Sequence, residues 1–103
     1  MNLSGFDRAY IDKHIKKVLV NYNPQGLRYS VLVTYYECGR DQFKAFSDMY
    51  RAYIEKYAPE TFGCVGRVKD VRFEGQFLAC MKMDYEVGGL HLTIYHIIVR
   101  VGA

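Results

Sequence analysis

Gln76-Phe-Leu-Ala-Cys-Met-Lys-Met-Asp-Tyr-Glu-Val-Gly-Gly-Leu-His-Leu-Thr-Ile-Tyr-His-Ile-Ile-Val-Arg-Val101 is the stretch on which the fold turns. Two long runs of β-prone residues flank Gly88-Gly89, and a Gly-Gly pair in that setting is a hairpin turn, because the tight turns that match strand twist need positive φ at their centre. With the glycines as the loop, Val87 faces Leu90 and the register follows by counting. Tyr85 meets Leu92, Met83 meets Ile94, Met81 meets His96, Ala79 meets Ile98 and Phe77 meets Arg100, which makes one face almost wholly apolar. The other face pairs Glu86 with His91, Asp84 with Thr93, Lys82 with Tyr95, Cys80 with Ile97 and Leu78 with Val99. It is polar beside the turn and apolar away from it. Such a hairpin has more apolar surface than one layer of helices can cover.

The rest of the chain supplies that layer. Between Ser4 and Val20 the apolar residues Phe6, Tyr10, Ile11, Ile15, Val18 and Leu19 recur at three- and four-residue steps, so this segment is expected to be an amphipathic helix. Ser4 or Asp7 would cap it, and the lysines near its end would suit the helix dipole. Asn21 to Gly26 has turn chemistry, and Leu27 to Glu37 alternates as a half-buried strand. A second helix is expected from an N-cap at Asp41 to a stop at Pro59, its buried stripe made of Phe43, Phe46, Met49, Tyr50, Tyr53, Ile54 and Tyr57. Glu60 to Gly66 is expected to be a loop with Phe62 and Cys64 turned inward. Arg67 to Glu74 is a shorter strand whose apolar members, Val68, Val71 and Phe73, need a bulge to share one side; Glu74-Gly75-Gln76 then turns into the hairpin. The expected class is α+β in the order α-β-α-β-β-β, a mainly antiparallel sheet with two helices packed on one face, in a single domain over residues 1–103.

At 103 residues the chain has room for one modest core, and half of it is hydrophobic. Three cysteines, Cys38, Cys64 and Cys80, without a CxxC or zinc-ligand spacing, give no disulfide framework or structural metal and point to a reducing compartment. No run approaches the length of a membrane span. A net charge of +3 permits contact with anions without demanding it; Lys13, Lys16 and Lys17 on the first helix are the candidate anion contacts. No nucleic-acid-reading motif accompanies them, so nucleic acid is not an expected partner.

Catalytic constellations are weak. Gly63-Cys64-Val65-Gly66 lacks the Lys-Ser/Thr of a phosphate loop. Cys80 and His96 point to opposite faces of the hairpin, which removes the obvious base for a cysteine nucleophile. Asp84, Glu86, His91 and Thr93 share the polar end of one face, which is the pattern of a solvated strand end before it is that of an acid–base site. No cofactor is implied. What remains is the apolar end of the hairpin's second face, Leu78, Cys80, Ile97, Val99 and Val101, which either a further helix or another chain must cover.

Leu78 to Val101 resembles the C-terminal end of small phage tail-terminator, or tail-completion, proteins. Met83, Tyr85, Glu86 and Val87 turn through Gly89 into Leu90-His91 and an alternating last strand, and the preceding helix, strand and aromatic helix follow in the same order. The resemblance implies a non-enzymatic α+β subunit that forms a homo-oligomeric ring. That ring would cap the tail tube and join it to the head connector, with tube and connector proteins as partners. It would assemble in the host cytoplasm and end in the virion tail. The chain departs from the family in the short Asn21–Gly26 turn, where more strand is usual. An alternative of a different class is a small virus-encoded inhibitor of a host defence complex, of the anti-CRISPR type, that binds one host protein.

Overall fold

The computed structural model describes residues 2–3, 7–21, 29–37, 39–57, 64–73, 77–87 and 89–101. Seven elements follow one another: β1 (Asn2–Leu3), α1 (Arg8–Asn21), β2 (Tyr29–Glu37), α2 (Arg40–Lys56), β3 (Cys64–Phe73), β4 (Leu78–Val87) and β5 (Leu90–Val101). The class is α+β, and after the two-residue β1 the order is the expected α-β-α-β-β-β. The expected turns at Asn21–Gly26 and Glu74–Gln76 lie outside the described residues apart from Asn21, which ends α1; of the expected loop Glu60–Gly66, residues 60–63 lie outside them too, while Cys64–Gly66 are not loop but the start of β3, paired with β4 through Cys64 and Val65.

The hairpin has the register that counting from Gly88-Gly89 requires. Ten pairs run from Val87 with Leu90 to Leu78 with Val99, and Arg100 N–H donates to Phe77 C=O at 2.9 Å to extend them by one. Gly89 sits at φ +82°, the left-handed conformation that the tight turn needs and a side chain resists. β3 adds antiparallel to β4, with its register slipping between Val65 and Lys69 and again between Asp70 and Arg72. Val71 falls in the second slip without a partner and is 53% exposed while Val68 is buried, so the slip does not bring the two to one side as expected, and they keep the opposite sides that a spacing of three gives in a strand.

β2 joins the meander's other side, parallel to β5, from Tyr29 opposite Thr93 to Glu37 opposite Val101. The sheet is therefore mixed, ordered β1-β2-β5-β4-β3, with β1 parallel to β2 at Tyr35 and Tyr36. Because β2 and β3 run the same way with two strands between them, no tight turn can join them, and α2 makes the crossover.

Both helices lie on one face of the sheet, α1 against β2 and α2 against β3, β4 and β5. Asp7 caps α1: its Oδ1 accepts from Tyr10 N–H at 3.1 Å and its C=O from Ile11 N–H at 3.0 Å. The helix thus begins a turn later than Ser4 would place it, and its last turn carries no basic residue, Lys16 and Lys17 lying just before it. At α2 the cap is Gly39 rather than Asp41. Gln42 donates its N–H to Gly39 C=O and its side-chain Oε1 accepts from Gly39 N–H at 3.4 Å, leaving Asp41 in the first turn, where a negative charge suits the dipole. Arg8 at the head of α1 lies over the Tyr57 ring at the tail of α2, 4.6 Å from its centroid, a cation–π contact that ties the two helices.

The core lies between the helices and the sheet. Ile11, Ile15, Val18 and Leu19 of α1 and Phe43, Phe46, Tyr50, Tyr53 and Ile54 of α2 are buried against Leu32, Tyr36, Met81, Met83, Tyr85, Leu92, Ile94 and Ile98. Two members of the expected α2 stripe lie outside it: Met49 is 48% exposed and Tyr57 is at the rim. A stripe this wide exceeds what one helix can press on a sheet, so its flanks stay in solvent. Phe46 stacks on Tyr36 at 3.7 Å between ring centroids and 9° between planes, and this contact sets the depth of α2 over β2.

Candidate interaction surface and the polar heart of the core

The helix-covered face carries one polar cluster at its centre. His96 is fully buried on β5, and both ring nitrogens have partners: Tyr50 Oη of α2 lies 2.8 Å from Nδ1 and Tyr85 Oη of β4 lies 3.1 Å from Nε2. Neutral imidazole has one N–H and one lone pair, so one tyrosine accepts from the ring while the other donates to it. Burial drives the imidazole pKa down to about 3. It also lifts the Tyr50 phenol far above its ordinary range, against a smaller lowering by the hydroxyl of Thr34 beside it. His96 is thus held neutral, and the cluster pins α2 to the two central strands. Its partner Tyr50 comes from 46 residues away, so the pairing could not be read from strand register. The only sequence signal was a histidine in an otherwise apolar row.

On the opposite face there is no helix among the described residues. Leu78, Cys80, Ile97, Val99 and Val101 lie there side by side, Leu78 opposite Val99 and Cys80 opposite Ile97. They do not end at the hairpin. The parallel register places Val31 beside Tyr95, Val33 beside Ile97 and Tyr35 beside Val99, so β2 extends the patch by a full strand. Tyr29 is 63%, Val31 57% and Tyr35 43% exposed, while Leu78, Cys80, Ile97 and Val99 of the hairpin are half-buried and Val101 is exposed at its end. Reading the sequence missed these β2 residues. The alternation in Leu27–Glu37 showed two sides, but the more apolar one is outside: Leu32, Thr34 and Tyr36 lie under the helices.

Polar groups border the patch. Near the turn, Thr93 Oγ1 donates to Asp84 Oδ1 at 2.6 Å, and His91 Nε2 is 3.6 Å from Glu86 Oε2 in a pair open to solvent. Cys80 and His96 are on opposite faces as expected, and burial pushes the Cys80 thiol up, away from the thiolate that nucleophilic chemistry needs. Lys82, opposite Tyr95, and Lys69, opposite Lys82, bring positive charge to the β4–β3 side of the patch. Lys13, Lys16 and Lys17 are exposed on α1, beyond the other face of the sheet, so the basic residues form two groups on opposite sides rather than one surface. Among the described residues, no three His, Cys, Asp or Glu side chains converge as a metal site, and no helix is long and apolar enough to cross a membrane.

No family model, curated protein or solved structure matches the chain.

Proposed function

We propose that the protein is a non-enzymatic assembly subunit whose open sheet face is its contact surface. In the form suggested by the resemblance of Leu78–Val101 to tail terminators, it builds a ring that ends a phage or phage-like tail tube and meets the head connector. The observation that carries the reading is the open face itself. An apolar surface across β2, β5 and β4 with Tyr29, Val31 and Tyr35 well exposed is large for a lone subunit of this size, and such surfaces mark protein contacts. Tyrosines at its rim suit a contact that is half apolar and half wet.

The test is the absolute mass of the protein in solution, by light scattering over a concentration series, beside Val99→Lys. The expected result is an oligomer in the wild type that dissociates in the variant while the variant's circular dichroism stays unchanged. A wild type that is monomeric at every concentration overturns self-assembly through this face and leaves the single-target inhibitor, to be sought by affinity capture from a candidate host.

A further inference from the structure

We infer that the open face is closed by a second copy of this chain, related by a twofold axis that runs along the strands between β5 and β4. The inference rests on the assembly reading and specifies its contact. It comes from two gradients across the face. Along the strands, the surface passes from polar at the hairpin turn, with Asp84 and Thr93, to apolar at the far end, with Leu78 and Val99. Across the strands, the row Val31-Tyr95-Lys82-Lys69 passes from uncharged on β2 and β5 to positive on β4 and β3.

Only one kind of twofold satisfies both gradients. An axis lying across the strands would reverse each strand over its mate and lay the polar end of one copy on the apolar end of the other. An axis along the strands keeps every row at its own level and exchanges left with right. Polar ends then meet polar ends, and in the Lys82 row the positive side of one copy covers the uncharged side of its partner. Row by row, Tyr95 lies over Lys82 of the partner subunit, Ile97 over the partner's Cys80 and Val99 over the partner's Leu78. The two Lys82 ammonium groups are kept apart, and each gains an aromatic ring, an arrangement that strengthens as water leaves. Lys82 and Tyr95 are neighbours in register within one copy, so the two contacts fall in one row on either side of the axis.

The size fits a modest dimer. Four strands about 4.8 Å apart and about nine residues long at about 3.3 Å each present roughly 500 Å² per copy, so face-to-face packing removes about 1,000 Å² in total, near the lower bound for a specific interface. Two such faces pack about 10 Å apart with strands about 30° from aligned, as in β-sandwiches. A twofold contact closes on itself, so any larger ring must grow from dimers through other surfaces and contain an even number of subunits.

The experiment is sedimentation equilibrium of the full chain as wild type, Tyr95→Lys, Lys82→Glu and the double variant, with Val99→Lys as control and circular dichroism to check folding. The expected result is a dimer or an even-numbered assembly whose dissociation constant rises about tenfold or more in each single variant. In the double variant, where Glu faces Lys across the axis in both symmetry-related contacts, it returns towards wild type. Self-association that Val99→Lys abolishes but Tyr95→Lys and Lys82→Glu leave unchanged overturns the twofold and spares the assembly reading. So does an odd-numbered assembly, or a double variant no better than the worse single one. A monomeric wild type overturns both.

Discussion

The two faces of the sheet are built from similar residues and have opposite fates. Under the helices, Leu32, Met83, Leu92, Ile94 and Ile98 are sealed from water, and His96 among them is bonded at both nitrogens and held neutral. On the other side Val31, Val33, Ile97 and Val99 are as apolar, yet no described element covers them. The lesson is that apolar content does not decide burial within one chain; the supply of covering elements does. Two helices cover one face of the sheet, and no described element covers the second.

The largest expected effect breaks the sealed face with acid. The pKa of His96 falls from an ordinary value near 6.5 to about 3 in the folded protein. The unfolded chain therefore takes up a proton first as pH falls, and the native state is penalised. Stability from this group is full above about pH 6.5, is lost progressively down to about pH 3, and is flat below that. At about 1.4 kcal/mol per pH unit, the loss is on the order of 5 kcal/mol. Urea midpoints measured across that range check it, and a His96→Gln variant should flatten the slope.

Next is the stack that seats α2. Phe46→Ala removes a fully buried ring from between Tyr36 and Tyr50, with an expected loss of about 3–5 kcal/mol in chemical denaturation. A smaller effect is expected from Tyr85→Phe, which leaves Nε2 of His96 buried without its partner and should cost about 1–3 kcal/mol. Gly89→Ala must hold a side chain at φ +82°, at about 1–2 kcal/mol. The smallest effect sharpens the comparison from the open side. Val31→Thr, at an exposed position, should change the stability of the isolated subunit by no more than about 0.5 kcal/mol while weakening association. A large loss of subunit stability there would mean that the face is covered within one chain.

How much of this was legible follows from the range of each interaction. The hairpin register, the two helices, the bulge in β3 and the separation of Cys80 from His96 could be read because each depends on neighbours in sequence: a Gly-Gly turn, a 3.6-residue period, a two-residue alternation. The half of the open patch on the hairpin, Leu78 to Val101, could be read for the same reason. The caps were harder. Gly39 takes the place expected for Asp41 because the cap of α2 is made by a reaching Gln42, not by its own side chain.

What only the tertiary structure decided is the parallel docking of β2 against β5 and, with it, which side of β2 faces out. Nothing within Tyr29–Glu37 says whether Leu32, Thr34 and Tyr36 or Val31, Val33 and Tyr35 meet the helices, since both sides suit a strand. That choice is made when Phe46, far along the chain, stacks on Tyr36. The same holds for His96, whose neutrality depends on a tyrosine delivered by α2. The sequence by itself determined the elements and the local register, because short-range sterics and periodicity act within a few residues. The structure decided which apolar surface is core and which is left open, because that depends on which distant elements arrive to cover it.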